Sequence, residues 1–111
     1  MSLNQSVLIC DQVNPILKEI LDKNGLKVTY QPEITPEQIA ENIGNFEVIV
    51  VRSRTKLTKE LIEKADKCKI IARVGVGLDN IDQVAAKAKS IRVINAVEGA
   101  ITAVAELVLG L

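Results

Sequence analysis

Five short apolar, β-branched runs recur along the chain, at residues 7–10, 26–30, 48–51, 69–74 and 91–94, each separated from the next by a stretch of helical period. The runs are continuous rather than alternating, the pattern expected of strands covered on both faces. Parallel strands between two helical layers are buried in that way. The intervening stretches carry the matching signals. Ile16, Leu17, Ile20 and Leu21 make an apolar stripe closed by Gly25, the residue favoured just past a helix end. Thr35-Pro36-Glu37-Gln38 reads as a capping threonine, a proline in the first turn and a glutamine three residues after the cap, with Ile39 and Ile43 turned inward. Thr58 opens a third helix with Leu61, Ile62 and Ala65 inward, and Asn80-Ile81-Asp82 leads into a fourth with Val84, Ala85 and Ala88 expected against the sheet.

Strand and helix thus alternate four times before a fifth strand and a last helix beginning near Ile101. Strict alternation predicts an α/β fold, a doubly wound parallel five-stranded sheet in the flavodoxin-like order 2-1-3-4-5. A chain of 111 residues suits one domain. Residues 103–111 form a strongly apolar stretch with helical signals and no polar tail. The expectation is a domain over residues 1–100, with 101–111 beginning a connection to something further on. The alternative is a last helix folded back on its own sheet.

Charge and composition remove several functions. Fourteen basic and fourteen acidic residues balance to zero, so no long-range field favours nucleic acid or an anionic membrane. No apolar run is long enough for a bilayer span, and the first residues lack the regions of a secretion signal, so a cytoplasmic location is expected. Histidine is absent, which removes the commonest general base and the commonest metal ligand; no metal site is expected. Cys10 and Cys68 read as small buried residues rather than a disulfide pair.

In an open parallel sheet, ligands bind beyond the carboxyl ends of the strands. Three loops lie there: Asp11-Gln12-Val13-Asn14-Pro15, Arg52-Ser53-Arg54-Thr55-Lys56 and Gly75-Val76-Gly77-Leu78-Asp79-Asn80. A phosphoacceptor domain needs an acidic residue where Arg52-Ser53 stands. A flavin domain needs a hydroxyl-rich first loop and aromatic walls, against Tyr30 and Phe46 alone. The Gly75-Val76-Gly77 segment is no dinucleotide fingerprint, because Asn80 replaces the third glycine and no acidic residue follows at the required offset. It reads either as a backbone nest for an anion or as a tight turn into the next helix. Arg52 and Ser53, on the neighbouring strand end, favour the nest, since a guanidinium fork suits carboxylate or phosphate. Lys56 is expected to be exposed and Arg73 to pair with a carboxylate; Arg54 is an adjacent candidate.

Val51-Arg52-Ser53-Arg54-Thr55-Lys56-Leu57-Thr58 and the segment from Ala72 through Val74-Gly75-Val76-Gly77-Leu78-Asp79-Asn80-Ile81-Asp82 resemble the N-terminal part of the D-isomer-specific 2-hydroxyacid dehydrogenases, above all the branch that oxidises 3-phosphoglycerate. The likeness runs from Val7 to Gly110 and includes Asn95 and Val104-Ala105-Glu106-Leu107. It implies the substrate-binding lobe of a two-domain, NAD-dependent enzyme at the start of serine synthesis, usually a homo-oligomer. By the resemblance, Arg52 and Ser53 would bind the substrate's anionic groups, the backbone of Gly75, Val76 and Gly77 its carboxylate, and the side chain at Val76 would lie near the nicotinamide. Residues 101–111 would begin the crossover helix toward the NAD-binding domain. The family's catalytic arginine, glutamate and histidine and its dinucleotide fingerprint all come later, so no catalytic residue and no bound NAD are expected within this segment. After Asn95 the chain departs from the pattern. Val97 stands where the family has proline, and Glu98, Ala100 and Ile101 lie where polar groups often hold substrate, which leaves room for a related 2-hydroxy acid. The rival reading is a stand-alone flavodoxin-like module binding a small anion or a partner protein.

Overall fold

The computed structural model describes residues 6–75 and 77–96. Five strands form one sheet: β1 (Ser6–Ile9), β2 (Lys27–Tyr30), β3 (Val48–Val51), β4 (Ile70–Val74) and β5 (Arg92–Ala96). All four pairings are parallel and the order is β2-β1-β3-β4-β5, as the alternation predicts. Four helices connect them: α1 (Pro15–Lys23), α2 (Pro36–Asn42, continued by a 3-10 turn at Ile43–Asn45), α3 (Lys59–Glu63) and α4 (Gln83–Ala88). The last strand runs two residues past the apolar run that announced it, and residues 101–111 lie outside the described part.

The strands alternate side chains between two cores. Leu8, Cys10, Ile49, Val51 and Ile71 join α2, α3 and α4 on one face, while Val7, Ile9, Val48, Val50 and Ala72 join Leu17 and Leu21 of α1 on the other. With both faces apolar, alternation disappears from the sequence, and this is why the runs are continuous. Each helix start is fixed locally. Thr35 and Gln38 form a reciprocal capping box, Asn14 caps α1, Thr58 caps α3 and Asp82 caps α4. Helix α1 ends in a Schellman motif: Leu26 N–H donates to Leu21 and Gly25 N–H to Asp22, with Gly25 at φ 84°. Helix α4 ends likewise, through Ile91 to Ala86 and Ser90 to Lys87, but with Ser90 at φ 59°.

Two expected faces need correction. Val84 is 82% exposed and Ala88 is exposed; Ala85 is buried as expected, and Ala86 joins it against the sheet. The helix is six residues long and its cap fixes its phase, so the pair of small side chains turns inward and allows close approach. In α1, Ile16 is exposed while Leu17 and Leu21 are fully buried. No described helix is long and apolar enough to cross a membrane.

Candidate functional site

The carboxyl ends of β1, β3 and β4 are brought to one rim by the register, which pairs Ile9 with Val50 and Val51 with Arg73. Arg52 and Gly75 each follow directly from those strands. Three side chains then fix the loops that leave the rim, and each does so by bonding backbone groups far away in sequence.

Asp11 holds the loop after β3. Its carboxylate is buried, with 2% exposure, and accepts from the Arg52 amide at 2.6 Å, the Thr55 amide at 3.2 Å and the Thr55 hydroxyl at 2.5 Å. Arg54 Nε completes the set at 3.0 Å. The rest of the Arg54 guanidinium donates to the carbonyls of Cys10, at 2.7 Å, and Ile34, at 3.2 and 3.3 Å. Arg54 is therefore largely committed to the scaffold. Asn80 ties the same loop to the next one, its amide nitrogen donating to the carbonyls of Arg52 at 2.5 Å and Thr55 at 2.7 Å. A short parallel bridge between Leu57 and Ile81 extends that seam. Asn95, on β5, donates from its amide to the carbonyls of Gly75 at 3.1 Å and Gly77 at 2.8 Å.

Of the residues the sequence singles out, Arg52 is half-buried and Ser53 exposed at the tip of the loop. The Arg52 guanidinium donates to the Gln12 carbonyl at 3.3 Å, so the side chain reaches toward the β1 loop. There it borders a cleft of about 550 Å³ lined by Asp11, Gln12, Tyr30, Pro32, Glu33 and Arg54. Gly75 and Gly77 both have positive φ, at 138° and 84°. Val76 lies outside the described residues. Beneath the turn sits Arg73, 6% exposed and paired with Asp79 at 3.5 Å, as expected of an arginine inside a strand. Lys56 is exposed.

Asn80, in the place of the third glycine, has its amide engaged by Arg52 and Thr55, and Asp79 faces Arg73. Cys10 and Cys68 are buried and unpaired with each other, and burial pushes both thiols up to about 12, which makes them poor nucleophiles. Asp11, Asn80 and Asn95 are the residues that sequence reading leaves without a role. The one available signal is Asp11 itself, an acidic residue directly after a buried apolar strand at the ligand end of the sheet.

The sequence profile of the D-isomer specific 2-hydroxyacid dehydrogenase catalytic domain matches residues 7–108. The chain belongs to that family. Among relatives of the dehydrogenases it resembles, the D-3-phosphoglycerate dehydrogenase of Methanocaldococcus jannaschii is 44% identical over 105 residues, which is 95% of this chain and 20% of the relative. A solved structure from Pyrococcus horikoshii superposes with a TM-score of 0.81 at 30% identity, covering 97% of this chain and 32% of that one. The NAD+-bound 3-phosphoglycerate dehydrogenase of Entamoeba histolytica superposes with a TM-score of 0.74, again at 30% identity, over 83% of this chain and 32% of its own. The chain thus spans a fifth of the M. jannaschii relative and about a third of each of these two solved chains.

Proposed function

We propose that this chain is the substrate-binding domain of an NAD-dependent 2-hydroxyacid dehydrogenase that oxidises 3-phosphoglycerate to 3-phosphohydroxypyruvate, the reaction that opens serine biosynthesis in the cytoplasm. The observation that carries the reading is the 44% identity, over 95% of the chain, to a protein named for that activity. The rim geometry is consistent with it. Arg52 supplies a guanidinium for an anionic group and Ser53 adds a hydroxyl at the loop tip, and the backbone N–H groups of Gly75, Val76 and Gly77 are proposed to take the substrate's carboxylate. Val76 is the residue proposed to face the nicotinamide.

Oxidation of a secondary alcohol removes a hydride and a proton. NAD, when bound, accepts the hydride. The proton requires a base, and the chain contains no histidine; the two buried thiols stay protonated near neutrality. The domain at residues 1–100 therefore binds and orients substrate, residues 101–111 begin the link to the NAD-binding domain, and the complete enzyme is a homo-oligomer.

Titration of the chain with D-3-phosphoglycerate, followed by heteronuclear NMR, tests this. Saturable shifts at Arg52, Ser53 and the 75–77 turn are expected, abolished by Arg52→Ala in a chain that stays folded. Binding that survives Arg52→Ala unchanged removes Arg52 from the site. NAD-dependent turnover by the 111-residue chain alone refutes the division of labour.

A further inference from the structure

The conformation of the rim depends on one buried carboxylate that belongs to neither of the loops proposed to touch substrate. Asp11 follows β1, and every donor to it described above comes from residues 52–55: the Arg52 amide, the Thr55 amide and hydroxyl, and Arg54 Nε. An ionised carboxylate only accepts hydrogen bonds, and a buried one persists only when its acceptor sites are filled. Residues 52–55 must therefore wrap around Asp11, and the shape of that wrap decides where Arg52 and Ser53 point. Arg54 balances the negative charge of Asp11, so a carboxylate can sit under an anion-binding rim without repelling the anion.

We propose that Asp11 is the positioning residue of the substrate rim. Its carboxylate fixes the Arg52 amide, while Asn80 fixes the Arg52 carbonyl from the other side. The Arg52 backbone is thus clamped at both ends, and the guanidinium is presented from a fixed base instead of a mobile loop. Preorganisation of this kind improves binding by removing the ordering cost from the binding step. The proposal rests on the reading that the rim holds the substrate's anionic group.

The test is an NMR titration of the chain with D-3-phosphoglycerate, on wild type, Asp11→Asn, Thr55→Val and a core variant at Ile62 chosen to match the Tm loss of Asp11→Asn. Asp11→Asn keeps the size but replaces one acceptor by a donor. It is expected to stay folded, to speed hydrogen exchange at the Arg52 amide, and to weaken binding by about tenfold or more. Thr55→Val, which removes the hydroxyl's bond to Asp11 and its longer 3.4 Å contact with the Cys10 carbonyl but keeps the Thr55 amide bond, should weaken it measurably but less, and it decides the matter if Asp11→Asn fails to fold. The Ile62 variant should bind as wild type does. Wild-type affinity in a folded Asp11→Asn chain overturns the positioning role. So does an equal loss in the Ile62 variant, which would show general loosening. If wild type itself shows no binding, the proposed function fails and the role of Asp11 falls with it, a result distinct from loss confined to the variants.

Discussion

Gly77 lies against the buried guanidinium of Arg73: a Cβ at position 77 would come within 3.3 Å of Arg73 Nη1 and 3.4 Å of the Asp79 carboxylate that pairs with it. The backbone there is also left-handed, at φ 84°. Both conditions favour glycine. Gly77→Ala is expected to lower stability by about 1–2 kcal/mol from backbone strain alone, with more if Arg73 cannot shift. Urea denaturation measures this, and an unchanged midpoint would mean that the turn relaxes freely.

Asn80 offers a sharper contrast between two substitutions. Its amide nitrogen faces two carbonyls, which fixes the amide's orientation. Asn80→Ala leaves those carbonyls without this donor and should cost about 1–3 kcal/mol. Asn80→Asp is nearly isosteric but places carboxylate oxygens against two carbonyl oxygens, so it is expected to be the more damaging of the two. Chemical denaturation of both variants gives the order, and a milder Asn80→Asp would contradict the clamp.

Ser90 occupies the left-handed position that ends α4, the place glycine holds at the end of α1. Ser90→Gly should raise stability by about 0.5–1 kcal/mol, the relief of the Cβ penalty exceeding the added freedom of the unfolded chain. Thermal denaturation in a calorimeter would show the gain as a higher Tm. The matching exchange at α1, Gly25→Ser, should lower it.

The two thiols set part of the alkaline limit. Burial raises both from an ordinary value of 9.0 to about 12. Below pH 9 folded and unfolded chains hold these protons equally, so the stabilisation is fully present. Between pH 9 and 12 only the unfolded chain releases them, and stability falls by up to about 1.4 kcal/mol per pH unit for each thiol. Replacing both Cys10 and Cys68 by alanine should flatten the decline over that window while lowering stability near neutrality through lost packing. Native thiol titration at pH 8 should likewise be slow until denaturant is added.

The scaffold is legible from local signals alone. Apolar runs and caps act over a few residues, so Thr35 with Gln38, Thr58 with Leu61, and Gly25 after α1 are readable without knowing what they pack against. The run lengths and their alternation with helices then leave few topologies, and the observed order is one of them. The strand-end position of Arg52, Gly75 and Gly77 follows from that scaffold. Helix phase was less secure: Ala86 rather than Val84 turned inward, because a six-residue helix has too little period to reveal its face.

How the rim is held depends on contacts between residues far apart in the chain. Asp11 bonds Thr55 across 44 residues, Asn80 bonds Arg52 across 28 and Asn95 bonds Gly77 across 18. A lone Asp or Asn has no local pattern that distinguishes a clamp from a solvated loop residue. Its role exists only once parallel pairing brings distant strand ends together and buries a polar group that must find partners there.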